Sequence, residues 1–138
     1  MIRALFVLLA AAAPAVAQVA PLSFETGKSL QITPGQWDHV ATATTSEARY
    51  SSVLSIRCDR QTRSVTVSIP AQPAATLTIA TSEMNRELPA GGRLAANDPL
   101  LDTIAFSRGR FLVSVGTGSV LAIPSWPEAA RAIEDCRN

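Results

Sequence analysis

Residues 54–69 read Leu54-Ser55-Ile56-Arg57-Cys58-Asp59-Arg60-Gln61-Thr62-Arg63-Ser64-Val65-Thr66-Val67-Ser68-Ile69, and this stretch decides the fold. Leu54, Ile56 and Cys58 alternate with Ser55 and Arg57, and Val65, Val67 and Ile69 alternate with Thr66 and Ser68. Period-two alternation is the mark of a half-buried strand, because successive side chains point to opposite faces of a sheet. The polar run 59–63 between the two segments makes them an antiparallel hairpin. Upstream, Trp37, His39 and Ala41 alternate with Asp38, Val40 and Thr42 and predict another strand. Downstream, Pro70 and Pro73 end the hairpin, since proline cannot donate to a sheet ladder. Alternation resumes over 75–81 through Leu77 and Ile79, residues 82–85 turn the chain into a short segment at 86–88, and Pro89, Gly91 and Gly92 interrupt it.

The C-terminal third mixes helix and strand. Asp98 is an N-cap candidate, Pro99 suits a first helical position and Gly109 suits the exit, with Leu101, Ile104 and Ala105 on one face. Phe111, Val113 and Val115 predict a strand, residues 116–119 a tight turn and residues 120–123 its partner. In the last helix, Ser125 and Glu128 have the spacing of a capping box. Trp126, Ala129, Ala130, Ile133 and Cys136 form its apolar stripe, with Arg131, Glu134 and Asp135 pointing away. The two cysteines, Cys58 and Cys136, thus fall on the buried faces of a strand and a helix, and a disulfide between them is expected. A bridge closing a loop of roughly 80 residues stabilises a fold by about 4 kcal/mol on the chain-entropy model. The expected fold class is α+β: an antiparallel β-sandwich or half-barrel with two short helices, the C-terminal one tied to the sheet.

The N-terminus sets the expected compartment. Arg3 is followed by an apolar run from Ala4 to Ala13 and by Ala15-Val16-Ala17, which predicts a secretory signal peptide over residues 1–17. Its apolar core is well short of the roughly 20 residues that span a bilayer, and Gln18 follows the cut where a lipoprotein would carry cysteine. Residues 18–36 are expected to be a loosely ordered leader or an edge strand near 29–32, ahead of a single globular domain over 37–138. Periplasmic or secreted localisation follows, where disulfides persist. Without Arg3, the twelve Lys+Arg fall level with the eleven Asp+Glu. A neutral chain argues against nucleic acid as partner.

No pattern calls for a cofactor, a metal or a catalytic residue. Asp38 and His39 are neighbours on a predicted strand, so their side chains face opposite ways and do not form an acid–base pair. The lone histidine lacks the company a zinc site needs. Phosphate-loop and nucleophile-elbow spacings are missing. What stands out is arginine: Arg57, Arg60 and Arg63 crowd one hairpin, and Arg108 and Arg110 flank Gly109. Guanidinium forks bind carboxylates and phosphates, so these five form a candidate anion or partner patch, or else a solvated edge that discourages aggregation. Trp37 and Trp126 are both expected in the core.

The motif Leu54-Ser55-Ile56-Arg57-Cys58, a polar turn and the strand that follows resemble the small periplasmic domain of type VI secretion-associated accessory proteins. That domain also finishes with a strand pair, a short helix and a closing cysteine, as Phe111 to Cys136 do. The overall order, with its ending 124–127 through 134–137, is similar to short secreted proteins of alphaproteobacteria. The resemblance covers about a third of the chain and implies a sandwich-like domain with a strand-to-helix disulfide, with no active-site residues to transfer. The expected function is a non-enzymatic periplasmic module binding a protein or envelope component. Two alternatives stand: a small periplasmic hydrolase, marked by His39 in a pocket beside a hydroxyl and a carboxylate from other strands, and an inhibitor of a wall-degrading enzyme, marked by an exposed loop at 91–96 or 116–119.

Overall fold

The computed structural model describes residues 11–15, 22–116 and 118–138. Most of the expected signal peptide, including its cleavage site, and the start of the leader lie outside the described residues. The chain forms α1 (Phe24–Gly27), β1 (Trp37–Ala41), β2 (Thr45–Tyr50), β3 (Leu54–Asp59), β4 (Ser64–Ser68), β5 (Leu77–Ala80), β6 (Asn85–Glu87) and β7 (Arg93–Ala95). It closes with α2 (Pro99–Ala105), β8 (Arg110–Val115), β9 (Val120–Pro124) and α3 (Pro127–Asp135). Two antiparallel sheets result, one of five strands in the order β1-β2-β3-β4-β7 and one of four in the order β6-β5-β8-β9. The fold is α+β, as the alternation predicts, with a third helix added by α1.

The β3–β4 hairpin forms in the expected register, Cys58 opposite Val65 and Ile56 opposite Val67. Its turn is held by Asp59, whose side chain accepts from the backbone N–H groups of Gln61 and Thr62. The inward side chains of both sheets, together with those of α2 and α3, make one continuous core around Ile56, Val67, Ile79, Leu101, Phe111 and Ile133. Cys58 and Cys136 are bonded, with Cα atoms 5.5 Å apart, so α3 is tied covalently to the middle strand it covers.

Strand β2 escapes the sequence reading for a physical reason. Its inward side chains at the covered end are Ser46 and Ala48, both fully buried where α3 crosses the sheet. Small residues let the helix approach closely, and they leave little hydrophobic contrast to read. Residues 91–96, offered as an exposed loop, instead contain β7, which pairs with β4 and buries Leu94. Gly92 makes that turn possible: its φ is +69°, and an added Cβ would come within 2.0 Å of the Val67 carbonyl oxygen.

Three corrections concern the helices. First, α2 ends at Ala105 with Phe106 as C-cap, ahead of Gly109. Second, no capping box opens α3. Trp126 occupies the N-cap in extended backbone, with Pro127 at the first helical position, so Ser125 lies one residue too early, and its hydroxyl and a Glu128 carboxylate oxygen find no protein partner. Third, the buried stripe is Ala129, Ala132, Ile133 and Cys136, with Ala130 only half-buried. Trp126 precedes the helix, escapes its periodicity and is 49% exposed, whereas Trp37 is in the core as expected. Asp135 does not point away: it turns toward β1 and β2.

The segment 22–36 is held against the outer face of the four-stranded sheet. Leu22 and Ile32 pack on Ala80, Leu112 and Ala122, a small second core. In place of an edge strand at 29–32, the chain makes the turn of α1, capped by Ser23, whose hydroxyl accepts from the Thr26 N–H. Gly27 sits so close to Leu112 that a Cβ there would overlap its side chain at 2.1 Å. Thr33 then clips the segment to β9: its N–H donates to the Ala122 carbonyl at 2.9 Å, and its hydroxyl accepts from the Ala122 N–H at 3.0 Å. This cover explains why Phe111, Leu112 and Val113 are all fully buried, a run that alternation alone leaves half exposed.

Candidate functional site

The one histidine does meet a hydroxyl and a carboxylate. His39 Nε2 lies 2.8 Å from Ser46 Oγ on the neighbouring strand, and Ser46 Oγ donates to Asp135 Oδ2 at 2.7 Å. Arg60 Nη2 approaches the same carboxylate oxygen at 3.4 Å. The wiring differs from a hydrolytic triad, in which the carboxylate holds Nδ1 and leaves Nε2 free to take the serine proton. Here the serine proton is committed to Asp135, so Nε2 carries a hydrogen and donates to Oγ. Ser46 is also fully buried, beyond the reach of a substrate carbonyl. The cluster is a polar pin: Ser46 faces Cys58 across the ladder, and Asp135 precedes Cys136 in sequence. Hydrogen bonds and disulfide fasten the end of α3 at one spot.

The three hairpin arginines point three ways. Arg60 belongs to that pin. Arg63, with φ +48°, borders a small hollow beside Cys136 and Arg137. Arg57 lies on the outer face of the five-stranded sheet, where the register sets Arg57 beside Thr66 and Thr66 beside Arg93. That face forms a shallow concavity of about 820 Å³, also lined by Glu47, Arg49 and Ser55. Three arginines, Arg49, Arg57 and Arg93, meet two carboxylates there, Glu47 and Asp59. Arg49, 2.9 Å away, holds the Glu47 carboxyl below its usual range against the opposing effect of burial, helped by the Ser55 hydroxyl and the Arg57 charge. The Asp59 carboxyl is lowered too, by the Thr62 and Gln61 backbone amides it accepts from and by the charge of Arg93.

Arg108 and Arg110 stand elsewhere and in different company. They flank a cleft of about 630 Å³ whose lining also includes Lys28, Phe24, Tyr50 and Trp126, and no carboxylate among the described residues. One wall is α1 and the chain after it; the other is the turn before β8 and the start of α3. Gly109, at φ +74°, makes the turn, and its carbonyl accepts the Ser125 N–H at 3.1 Å. A serine chain braces it: Arg108 N–H donates to Ser82 Oγ, Ser82 N–H donates to Ser107 Oγ, and Ser107 Oγ donates to the Arg110 carbonyl. Across the cleft, the Tyr50 hydroxyl donates to the Thr33 carbonyl at 2.7 Å, fixing the far wall.

The three cations are not equivalent. Lys28 is paired with Glu25 at 2.5 Å, and Arg110 donates to the Leu30 carbonyl. Arg108 is exposed, and its guanidinium has no ion pair or hydrogen bond among the described residues. Trp126, in the lining of the same cleft, immediately precedes Pro127, which holds its backbone extended. Arg108 and Arg110 were legible as cations from their sequence. The contribution of Lys28, the exposure of Trp126 and the placing of Arg57 and Arg93 on one face were not, because each depends on a packing partner far away along the chain.

No family model, curated protein or solved structure matches this chain. No helix among the described residues is long and apolar enough to cross a membrane.

Proposed function

We propose that this chain is a non-enzymatic binding module of the periplasm or extracellular space that takes an anionic component of the envelope into the cleft between α1 and the start of α3. One observation carries the reading: three cations and a half-exposed tryptophan converge on a cleft with no carboxylate in its lining, on a chain whose twelve Lys+Arg and eleven Asp+Glu leave a net charge of only +1. A single-sign cleft concentrates field and draws counter-charged ligands. The Cys58–Cys136 bridge suits an oxidising compartment, and the resemblance of residues 54–69 to periplasmic accessory domains agrees. The polar pin at His39 serves stability in this reading, so His39→Ala leaves binding intact.

The test is retention of envelope material on the immobilised, oxidised protein. Bound material should elute as ionic strength rises toward 1 M, where the screening length falls to about 3 Å. Arg108→Glu, on an exposed turn, should fold with an unchanged melting temperature and retain little. Equal retention by that variant, or elution indifferent to salt, would overturn the assignment of the cleft.

A further inference from the structure

We propose that the ligand of this cleft is an acidic sugar: a pyranose ring laid on the Trp126 indole, with its carboxylate or phosphate held by Arg108. The inference rests on the binding reading above and adds the ring to the anion.

The ring requirement comes from Trp126. A bare anion would be satisfied by the guanidinium, and nothing about it would call for an indole. Yet the largest apolar side chain of this region is held half in solvent, just before Pro127, in the same cleft as the one cation that lacks a partner. A tryptophan left half exposed forgoes part of the stabilisation that burying its ring would bring. Tryptophan, with an apolar ring and one N–H, is enriched at contact surfaces where one side is apolar and the other wet. A flat apolar face beside a charged fork matches a ligand with a flat apolar face and a charged edge.

The openness of the site selects a sugar over an aromatic acid. Ligands with two apolar faces are buried on both sides, at 70–90% of their surface in sites of roughly 300–1,000 Å³. This cleft has the volume, but Lys28, Gly35, Arg108, Gly109 and Trp126 are all exposed, and among the described residues no aromatic ring is paired with the Trp126 indole. A pyranose needs one platform only: its C–H face stacks, while its hydroxyl edge stays hydrated or meets cationic donors. Arg108 suits the acid, because a guanidinium can grip a carboxylate or phosphate with two N–H groups at once. Gly109 leaves the approach open, since nothing lies within 4 Å of where its Cβ would be.

The experiment follows the two indole N–H resonances of the labelled, oxidised chain during titration. The probes are a galacturonate trimer, a glucuronate-containing disaccharide, glucose 1-phosphate, the neutral galactose trimer, inorganic phosphate and hexa-aspartate. Expected is a saturable shift of the Trp126 signal with at least one acidic sugar, which separates carboxylate from phosphate as the favoured acid. Affinity should fall at least about tenfold, or 1.4 kcal/mol, for the neutral trimer, for Trp126→Ala and for Arg108→Gln, the variants keeping the parent melting temperature. Inorganic phosphate or hexa-aspartate binding as tightly as the best sugar, dependent on Arg108 and indifferent to Trp126→Ala, would overturn the ring and leave the anion reading standing. Neutral and acidic trimers binding equally, with Arg108→Gln silent, would overturn the acid and the anion reading together. No response to any of the three acidic sugars would overturn the proposal outright.

Discussion

Removing the Cys58–Cys136 bridge is the perturbation whose consequence can be worked most directly from the structure. The cysteines are 78 residues apart. On the chain-entropy model a loop of that length restricts the unfolded ensemble by an amount that stabilises the native state by about 4.5 kcal/mol at 25 °C. Domains of this size are stable by about 5–15 kcal/mol, so the bridge is a third of the total or more. For about 115 ordered residues, with an unfolding entropy near 2.1 cal/mol/K per residue, the loss converts to a melting-temperature drop of about 15–20 °C. The double variant Cys58→Ala/Cys136→Ala isolates the effect without leaving a free thiol in the core. Scanning calorimetry of that variant and of the oxidised parent measures it, with circular dichroism at 20 °C to confirm that the variant begins folded. A drop under about 5 °C would refute the reasoning. It would mean that the pin of Ser46, Asp135 and Arg60 and the apolar stripe of α3 already hold the helix, or that the unfolded chain stays compact around the same residues.

Other outcomes follow from single contacts. Gly92→Ala places a Cβ against the Val67 carbonyl at 2.0 Å with φ at +69°, and Gly91→Ala faces open space at φ +81°. Urea melts should give about 1 kcal/mol for Gly91→Ala and at least twice that for Gly92→Ala, and equal midpoints would count against the close approach of β4 and the 90–92 turn. Ser46→Ala removes the buried hydroxyl from its contact with the part-buried Asp135 carboxylate and should destabilise the fold by about 1–3 kcal/mol; labelling of Ser46 by a fluorophosphonate would show instead a reactive serine. Burial raises the Asp98 carboxyl, but Arg86, at 2.8 Å from both its oxygens, and the Leu100 N–H outweigh it and leave the group below its usual range. Glu47 is lowered likewise by Arg49. Carboxyls held low in the folded state contribute stability that is complete above their unfolded values near 4 and is lost as pH falls through the folded ones. Melting temperature should therefore decline below about pH 4, and less steeply for Asp98→Asn; a parallel decline in that variant would contradict the Arg86 pairing.

Several elements are legible from the chain alone because the information is local. Leu54, Ile56 and Cys58, then Val65, Val67 and Ile69, each declare a strand face through their own neighbours, and Asp98-Pro99 declares a helix start through capping. Those assignments, with two cysteines on buried faces, suffice for an α+β fold whose last helix is pinned to its sheet. Local patterns fail where the covering partner is distant. Ser46 and Ala48 mask β2 because α3, more than 75 residues on, presses against them. Leu112 falls out of phase because residues 22–36 cover the second face of its sheet. Asp135 reads as a solvent-facing residue until β1 and β2 supply His39 and Ser46. Trp126 reads as core by its spacing, but helical spacing governs only residues inside the helix, and α3 begins one residue later at Pro127. The cleft is the furthest from the sequence, since Lys28, Arg108 and Trp126 become neighbours only when the leader docks on the four-stranded sheet. Periodicity states which face of an element is apolar; tertiary packing alone decides what covers it and what it leaves in the open.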